Sequence, residues 1–147
     1  MTALSQIFGA IDERLALLIA QSNGSYERMP SGDPDIFPAL HVFDEGDDPA
    51  EQEAVATRLD LEISVEGYME GHGGAATHDA MLALHADTVK AMCGDILFNL
   101  DGLVENIEII GRRRVQVVPL AEKRRLSFAQ DFLITFATVR GDPNEFA

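Results

Sequence analysis

An α+β fold is what this sequence predicts, ordered helix-strand-strand-helix-strand-strand, with a mainly antiparallel sheet and its helices packed on one face. Three observations predict it. Leu59, Leu61, Ile63 and Val65 alternate strictly with Asp60, Glu62, Ser64 and Glu66, the period of a half-buried strand with one wet, acidic face. Near the C-terminus Leu126, Phe128, Phe132, Ile134 and Phe136 recur every second or fourth residue around Ser127, Asp131 and Thr135, a second strand of the same kind. Two further stretches carry apolar residues at helical spacing instead.

The first is the N-terminal helix, where Leu4, Ile7, Phe8, Ile11, Leu15 and Leu18 form one stripe, Thr2 offers an N-cap and Asn23-Gly24 a stop. Residues 22–37 hold Gly24, Pro30 and Gly32-Asp33-Pro34 and read as a long mobile loop. Ala39 to Phe43 is a short strand. The run from Asp44 to about residue 54, with six acidic side chains between Asp44 and Glu53, reads as a second mobile loop, solvated and self-repelling. It lacks the fixed alternation of an EF-hand.

The clean strand from Arg58 to Tyr68 follows, then a flexible turn at Gly71-His72-Gly73-Gly74 that lacks the Gly-Lys-Ser/Thr ending of a phosphate loop. Thr77 to Cys93 is the second helix, burying Met81, Leu82, His85, Thr88, Val89 and Met92 and exposing Asp79, Asp87 and Lys90. A short extended piece is expected at Ile96-Leu97-Phe98, and a third long strand from Ile107 to Val118. Lys123-Arg124-Arg125 is placed in the turn before the last strand, which Arg140-Gly141-Asp142-Pro143 ends, since Pro cannot donate to a sheet ladder.

The 147 residues are read as one domain, 1–147. Cys93 is the sole cysteine, so no intramolecular disulfide forms. No signal peptide and no membrane span is expected, because Asp12, Glu13 and Arg14 break the apolar N-terminus. A net charge of −14 opposes nonspecific binding to a DNA backbone. The charge is unevenly placed. Residues 1–106 carry 4 Lys/Arg against 20 Asp/Glu, net −16, and residues 107–147 carry 7 against 5, net +2. Two unlike surfaces could associate head to tail, although acidic residues that merely keep the domain soluble are the simpler reading of charge alone.

No catalytic signature appears. His78 and His85 are seven residues apart on one helix, nearly two turns, and no His-x-x-x-His or paired cysteine supports zinc. Cys93 reads as an inert core thiol, and His85 as a packed or interface histidine. The chain is therefore expected to be no enzyme and to hold no cofactor or metal. The two basic triplets remain. Alternation sends Arg112 and Arg114 to one side of a strand and Arg113 to the other. Together with Lys123, Arg124 and Arg125 they are assigned first to a subunit or partner interface, then to solvated surface, and last to nucleic acid. Their expected counterparts are Asp44, Glu45, Asp47, Asp48, Asp60 and Glu62, because arginine binds carboxylates through two parallel hydrogen bonds.

The N-terminal helix, RLDLEISVE from Arg58 to Glu66, the Ala- and Leu-rich helix, Ile107-Glu108-Ile109 and the closing FLITFATVRGDP from Phe132 to Pro143 together resemble the tail terminator (tail completion) proteins of long-tailed bacteriophages and related particles. The resemblance covers most of the chain from about Arg58 onward. It implies a structural virion protein at the head-proximal end of the tail, assembled in the host cytoplasm. It also implies a homohexameric ring that caps the tail tube, ends its polymerisation and supplies the surface for head-tail joining. The implied partners are further copies of the chain, the tail tube protein and the head-tail connector protein, with DNA only as passing cargo and no membrane. The alternatives are another head-tail connector or neck protein of the same particle, or a small cytoplasmic ligand-binding domain or enzyme whose loop from Gly71 to His78 closes over a site.

Overall fold

The computed structural model describes residues 1–94, 100–120 and 123–147, with side chains described for 1–94, 100–113 and 124–147. The expected extended piece at Ile96-Leu97-Phe98 lies outside the described residues. Element order is α1 (Ala3–Ala20), β1 (Ser25–Arg28), β2 (Ala39–Gln52), β3 (Ala56–Gly71), α2 (Gly74–Cys93), β4 (Asn106–Leu120), β5 (Lys123–Val139) and β6 (Asp142–Phe146). The α+β class holds, with two helices among the described residues over one mostly antiparallel sheet of order β1-β2-β3-β5-β4, β6 pairing with β5.

Strand alternation determines which side of the sheet is covered. In β3 the apolar set Leu61, Ile63 and Val65 is buried, and the register places Leu61 opposite Ile134 and Ile63 opposite Phe132 on β5. Phe128, Phe132 and Phe136 are fully buried on the same side, with Leu40 and Val42 of β2. Each such side chain contributes about 1.5–3 kcal/mol when removed from water. A slip of one residue would expose the whole set. Gly67 faces Phe128 across the ladder, and a Cβ there would stand 2.2 Å from the Phe128 ring. The ring fills the space that a side chain would take.

The helices close this layer. Thr2 caps α1, its hydroxyl accepting from the Ser5 backbone N–H at 3.0 Å, and Ile7, Phe8, Ile11, Leu15 and Ile19 point inward. Helix α2 buries Thr77, Met81, Leu84, Thr88 and Met92. The expected stripe missed Leu84, while Leu82 and Val89 pack only partly against the core. Arg14 joins the helices by donating to the Ala91 carbonyl at 3.1 Å near the C-terminal end of α2, where unpaired carbonyls attract a cation.

Four expectations about elements need correction. The loop at 22–37 contains β1, which runs parallel to β2 from Ser25 opposite Ala39 to Arg28 opposite Val42. Its sequence, SYER, has no apolar alternation. Tertiary contacts hold it: Tyr26 donates to Asp12 of α1, and Arg28 reaches the same carboxylate at 3.5 Å. The acidic stretch from Asp44 is likewise a continuation of β2 to Gln52, paired with β3 through two bulges. Pairing with a partner strand overrides the poor strand propensity of Asp and Glu. Lys123, Arg124 and Arg125 begin β5 instead of forming a turn, Arg124 opposite Gly71 and Arg125 opposite Glu70. Finally, Gly141-Asp142-Pro143 does not end the sheet. Gly141, at φ +80°, turns the chain back so that Thr138 faces Phe146 and Val139 faces Asp142, with a register shift that leaves Pro143 off the ladder.

Candidate functional site

The helix-free face of the sheet is where the charged residues of β2, β3, β4 and β5 meet. Ser64 of β3 lies opposite Asp131 of β5, which lies opposite Gly111 of β4. A bulge falls here, between Ile109 and Gly111, and Gly111 has φ +146°, a backbone region that glycine adopts most readily. The bulge re-aims the following residues. Arg113 lands over Asp131, its Nε and Nη2 donating to the two carboxylate oxygens at 2.9 Å each, and Nη2 also reaches Ser64 Oγ at 3.3 Å. The Arg113 guanidinium, Ser64 and the close positive charge hold the Asp131 carboxyl below its ordinary range, against a smaller opposing effect of burial.

The second triplet is also spoken for in part. Arg125 sits over the Phe37 ring at 4.7 Å and 3.7 Å from Asp33, which draws residues 29–38 across the helix-free face at one end. Arg124 is exposed beside Gly73, just before α2. Arg112 is exposed and faces Gln130 in the ladder; it makes no hydrogen bond or ion pair among the described residues. The side chains of Arg114 and Lys123 lie outside the described residues.

The acidic counterpart is a single surface. Glu45, Asp47, Asp48, Asp60 and Glu62 line a shallow depression of about 310 Å³ together with Gly46 and Leu133. Asp44, which does not line it, turns its carboxylate back to accept the Gly46 N–H at 2.9 Å. From Asp44 to Gln52 every residue of β2 is exposed. Thr135 donates to Asp60 at 2.8 Å, so this carboxylate is held within the sheet while Glu62 is exposed. Among the described residues no member of the basic set forms a hydrogen bond or ion pair with a member of the acidic set, although Glu45 lies near enough to Arg113 to act on its charge. Arg113 pairs with Asp131, and the acidic depression lies beside β2.

Residues that the sequence reading missed anchor the ends of this surface. Arg58 donates to Glu105 through Nε at 2.7 Å and Nη2 at 3.1 Å, and to Glu53 through Nη1 at 2.7 Å. It ties the tip of the β2–β3 hairpin to the residue before β4. A lone arginine at the head of an acidic strand was the available signal. His41 is buried at 3 % exposure between Tyr68 and Phe43. Burial lowers its pKa, against the raising influence of Glu27, Glu66 and Asp33. His85 packs its ring edge-on to Phe128, and its Nε2 lies 2.7 Å from Gln130 Oε1. Gln130 donates from its own Nε2 to the Asp131 carbonyl, so His85 Nε2–H is the donor to Oε1. Among the described residues no group of three or more His, Cys, Asp or Glu is arranged to hold a metal ion, and no helix is long and apolar enough to cross a membrane.

No family model and no curated protein matches the chain. Among solved structures, a chain from the "Virion of native gene transfer agent (GTA) particle" is similar, with a TM-score of 0.40 and 16% sequence identity over 86% of this chain and 92% of that one.

Proposed function

We propose that this chain is a non-enzymatic structural virion protein whose copies form a ring, a hexamer, that caps the tail tube, ends its polymerisation and offers the surface for head-tail joining. The observation that carries this reading is one sheet with two open edges of opposite character. The outer edge of β4 bears Arg112 with exposed Ile109, Ile110 and a single acidic residue, Glu108, among its described side chains, and the outer edge of β2 beyond Val42 bears Asp44, Glu45, Asp47, Asp48 and Glu51. Unlike edges on one chain suit a head-to-tail contact, and such a contact closes into a ring when its rotation closes. The sequence resemblance from Arg58 to Pro143 supports the tail-end assignment. With the helices on one side, the bare face and its Asp60, Glu62 and Glu66 would line the lumen, where like charge keeps passing DNA from sticking. The tail tube protein and the head-tail connector are the partners in this reading.

Negative-stain electron microscopy of the purified chain, alone and mixed with tail tubes, tests it. Rings of one size, or caps on a single end of each tube, are expected. Monomers that ignore tubes at low and moderate salt would overturn it.

A further inference from the structure

We propose that copies of this chain join sheet edge to sheet edge, the outer edge of β4 in one copy pairing antiparallel with residues 44–52 of β2 in the next. Arg112 closes that seam against Asp44 and Asp47 of the second copy. The inference rests on the ring reading and names the surface that makes the ring.

Backbone chemistry comes first. No described strand pairs with the outer side of β4, or with the outer side of β2 beyond Val42. Apart from the N–H groups of Asp44 and Gly46, which donate to Met29 Sδ at 3.2 Å and to the Asp44 carboxylate at 2.9 Å, these edges present peptide N–H and C=O groups that seek partners. The directions match. Each neighbouring pair along β2-β3-β5-β4 is antiparallel, so β2 and β5 run one way and β3 and β4 the other. Continuing the sheet by rotation therefore sets β4 against the next β2 in antiparallel fashion, the arrangement with the better ladder geometry.

The side chains agree with the backbone. Arg112 lies opposite Gln130, which contacts His85 of α2, and Asp44 and Asp47 lie opposite the buried Ile63 and Leu61. By ladder register Arg112 and Asp44 fall on the helix-bearing side of the sheet, and Asp47, opposite Leu61 just past the bulge, sits at the edge where it also borders the depression with Asp60 and Glu62. In a continuous sheet Arg112 and Asp44 would emerge on the same side of the seam. Arg113 projects from the other side and is engaged with Asp131, so Arg112 carries the contact. Ile109 and Ile110, 50% and 51% exposed on β4, give the seam an apolar centre that drives water from the charge pairs.

Charge also disfavours the competing assemblies. Two β2 edges would set Asp44, Glu45, Asp47, Asp48 and Glu51 against themselves, whereas two β4 edges would offer each Arg112 at most the single carboxylate of Glu108. The unlike pairing gives Arg112 the larger number of carboxylates. β1 already covers Ala39 to Val42, which confines the new ladder to the distal part of β2. Arg112 stands level with Val42 through Gln130 and Val65. Meeting Asp44 and Asp47 therefore shifts successive copies along the strands, the stagger that a closed, tilted sheet requires.

A charge-swap mixture tests the seam, with assembly read by native mass spectrometry and hydrogen exchange at residues 44–52 and 106–113. R112E alone and D44R/D47R alone should each assemble at least about tenfold more weakly than wild type while keeping its circular dichroism. Mixed, they should assemble again, because each variant's altered edge meets the complementary edge of the other, and exchange should slow at both edges. R112E rings like those of wild type, a mixture that stays monomeric, or a wild-type chain that is monomeric with and without tubes would each overturn the seam. The two readings fail separately. Swap-dependent rings that never cap a tube would keep the seam and sink the tail-end role; caps formed equally well by R112E would do the reverse.

Discussion

Gly67 and Phe128 show how closely single side chains fit in this sheet. A methyl group at Gly67 meets the Phe128 ring at 2.2 Å, so Gly67→Ala should cost about 1–3 kcal/mol by overpacking. Phe132→Ala removes a fully buried ring and should cost about 3–5 kcal/mol. Urea unfolding of both variants checks the order of the two. On the acid side, two residues with lowered pKa values contribute to the pH dependence. Asp131 has a folded pKa below its ordinary 3.8, so its contribution is complete above that value and disappears as pH falls through the lower folded one. Asp131→Asn should flatten acid unfolding there. His41 is held neutral by burial, with a folded pKa below 6.5. The unfolded chain then binds the proton more readily, so stability drops as pH falls below 6.5 and levels off under the folded value. His41→Phe should remove that slope in a titration of the unfolding midpoint.

At the scale of elements, the β2–β3 hairpin is the part to probe. Its distal strand is wholly exposed, and Arg58 is the clip that holds its tip to Glu105. Arg58→Ala should speed hydrogen exchange over residues 47–58 while leaving β5 protected, and it should lower the melting temperature only modestly. Equal acceleration in β5 would mean that the clip stabilises the whole sheet. This hairpin also shows what the sequence made legible. Residues 58–68 announced themselves because one face is core, and both helices did so by the same logic of burial. The distal part of β2 did not, because its ladder depends on β3 being there to pair with, while its own side chains are mostly acidic or polar and none is large and apolar. β1 and β6 escaped for a related reason: each is held by contacts from elsewhere in the chain, Asp12 for Tyr26 and the returning turn at Gly141 for Phe146.

For the whole molecule, the separation of charge between the two parts of the chain could be counted directly, but its use could not. Arg113 turned out to be paired within the chain, and Arg125 is engaged by the Phe37 ring and Asp33, although its buried Nε has no hydrogen-bond partner among the described residues. The Gly111 bulge and residues 29–38 create these contacts, which no local spacing reveals. In the proposed seam Arg112 is the arginine set against the acidic edge of the next copy. An assembly held this way should weaken steadily as salt rises, since exposed charges are screened over about 8–10 Å at ordinary ionic strength. Light scattering across a salt series should show it, and a ring indifferent to salt would point to the apolar pair Ile109 and Ile110 instead.

The placement of both helices on one side of the sheet has a geometric consequence for any ring closed along its edges. In such a ring each subunit would act as a wedge. Its bare side spans a short inner arc, and the helix layer, about 10 Å thick, demands a longer outer one. The taper between the two, and not the strength of the seam, would fix how many copies complete the circle. Widening the rim at exposed Leu17 of α1 would then change the circumference while every edge contact stayed as it was.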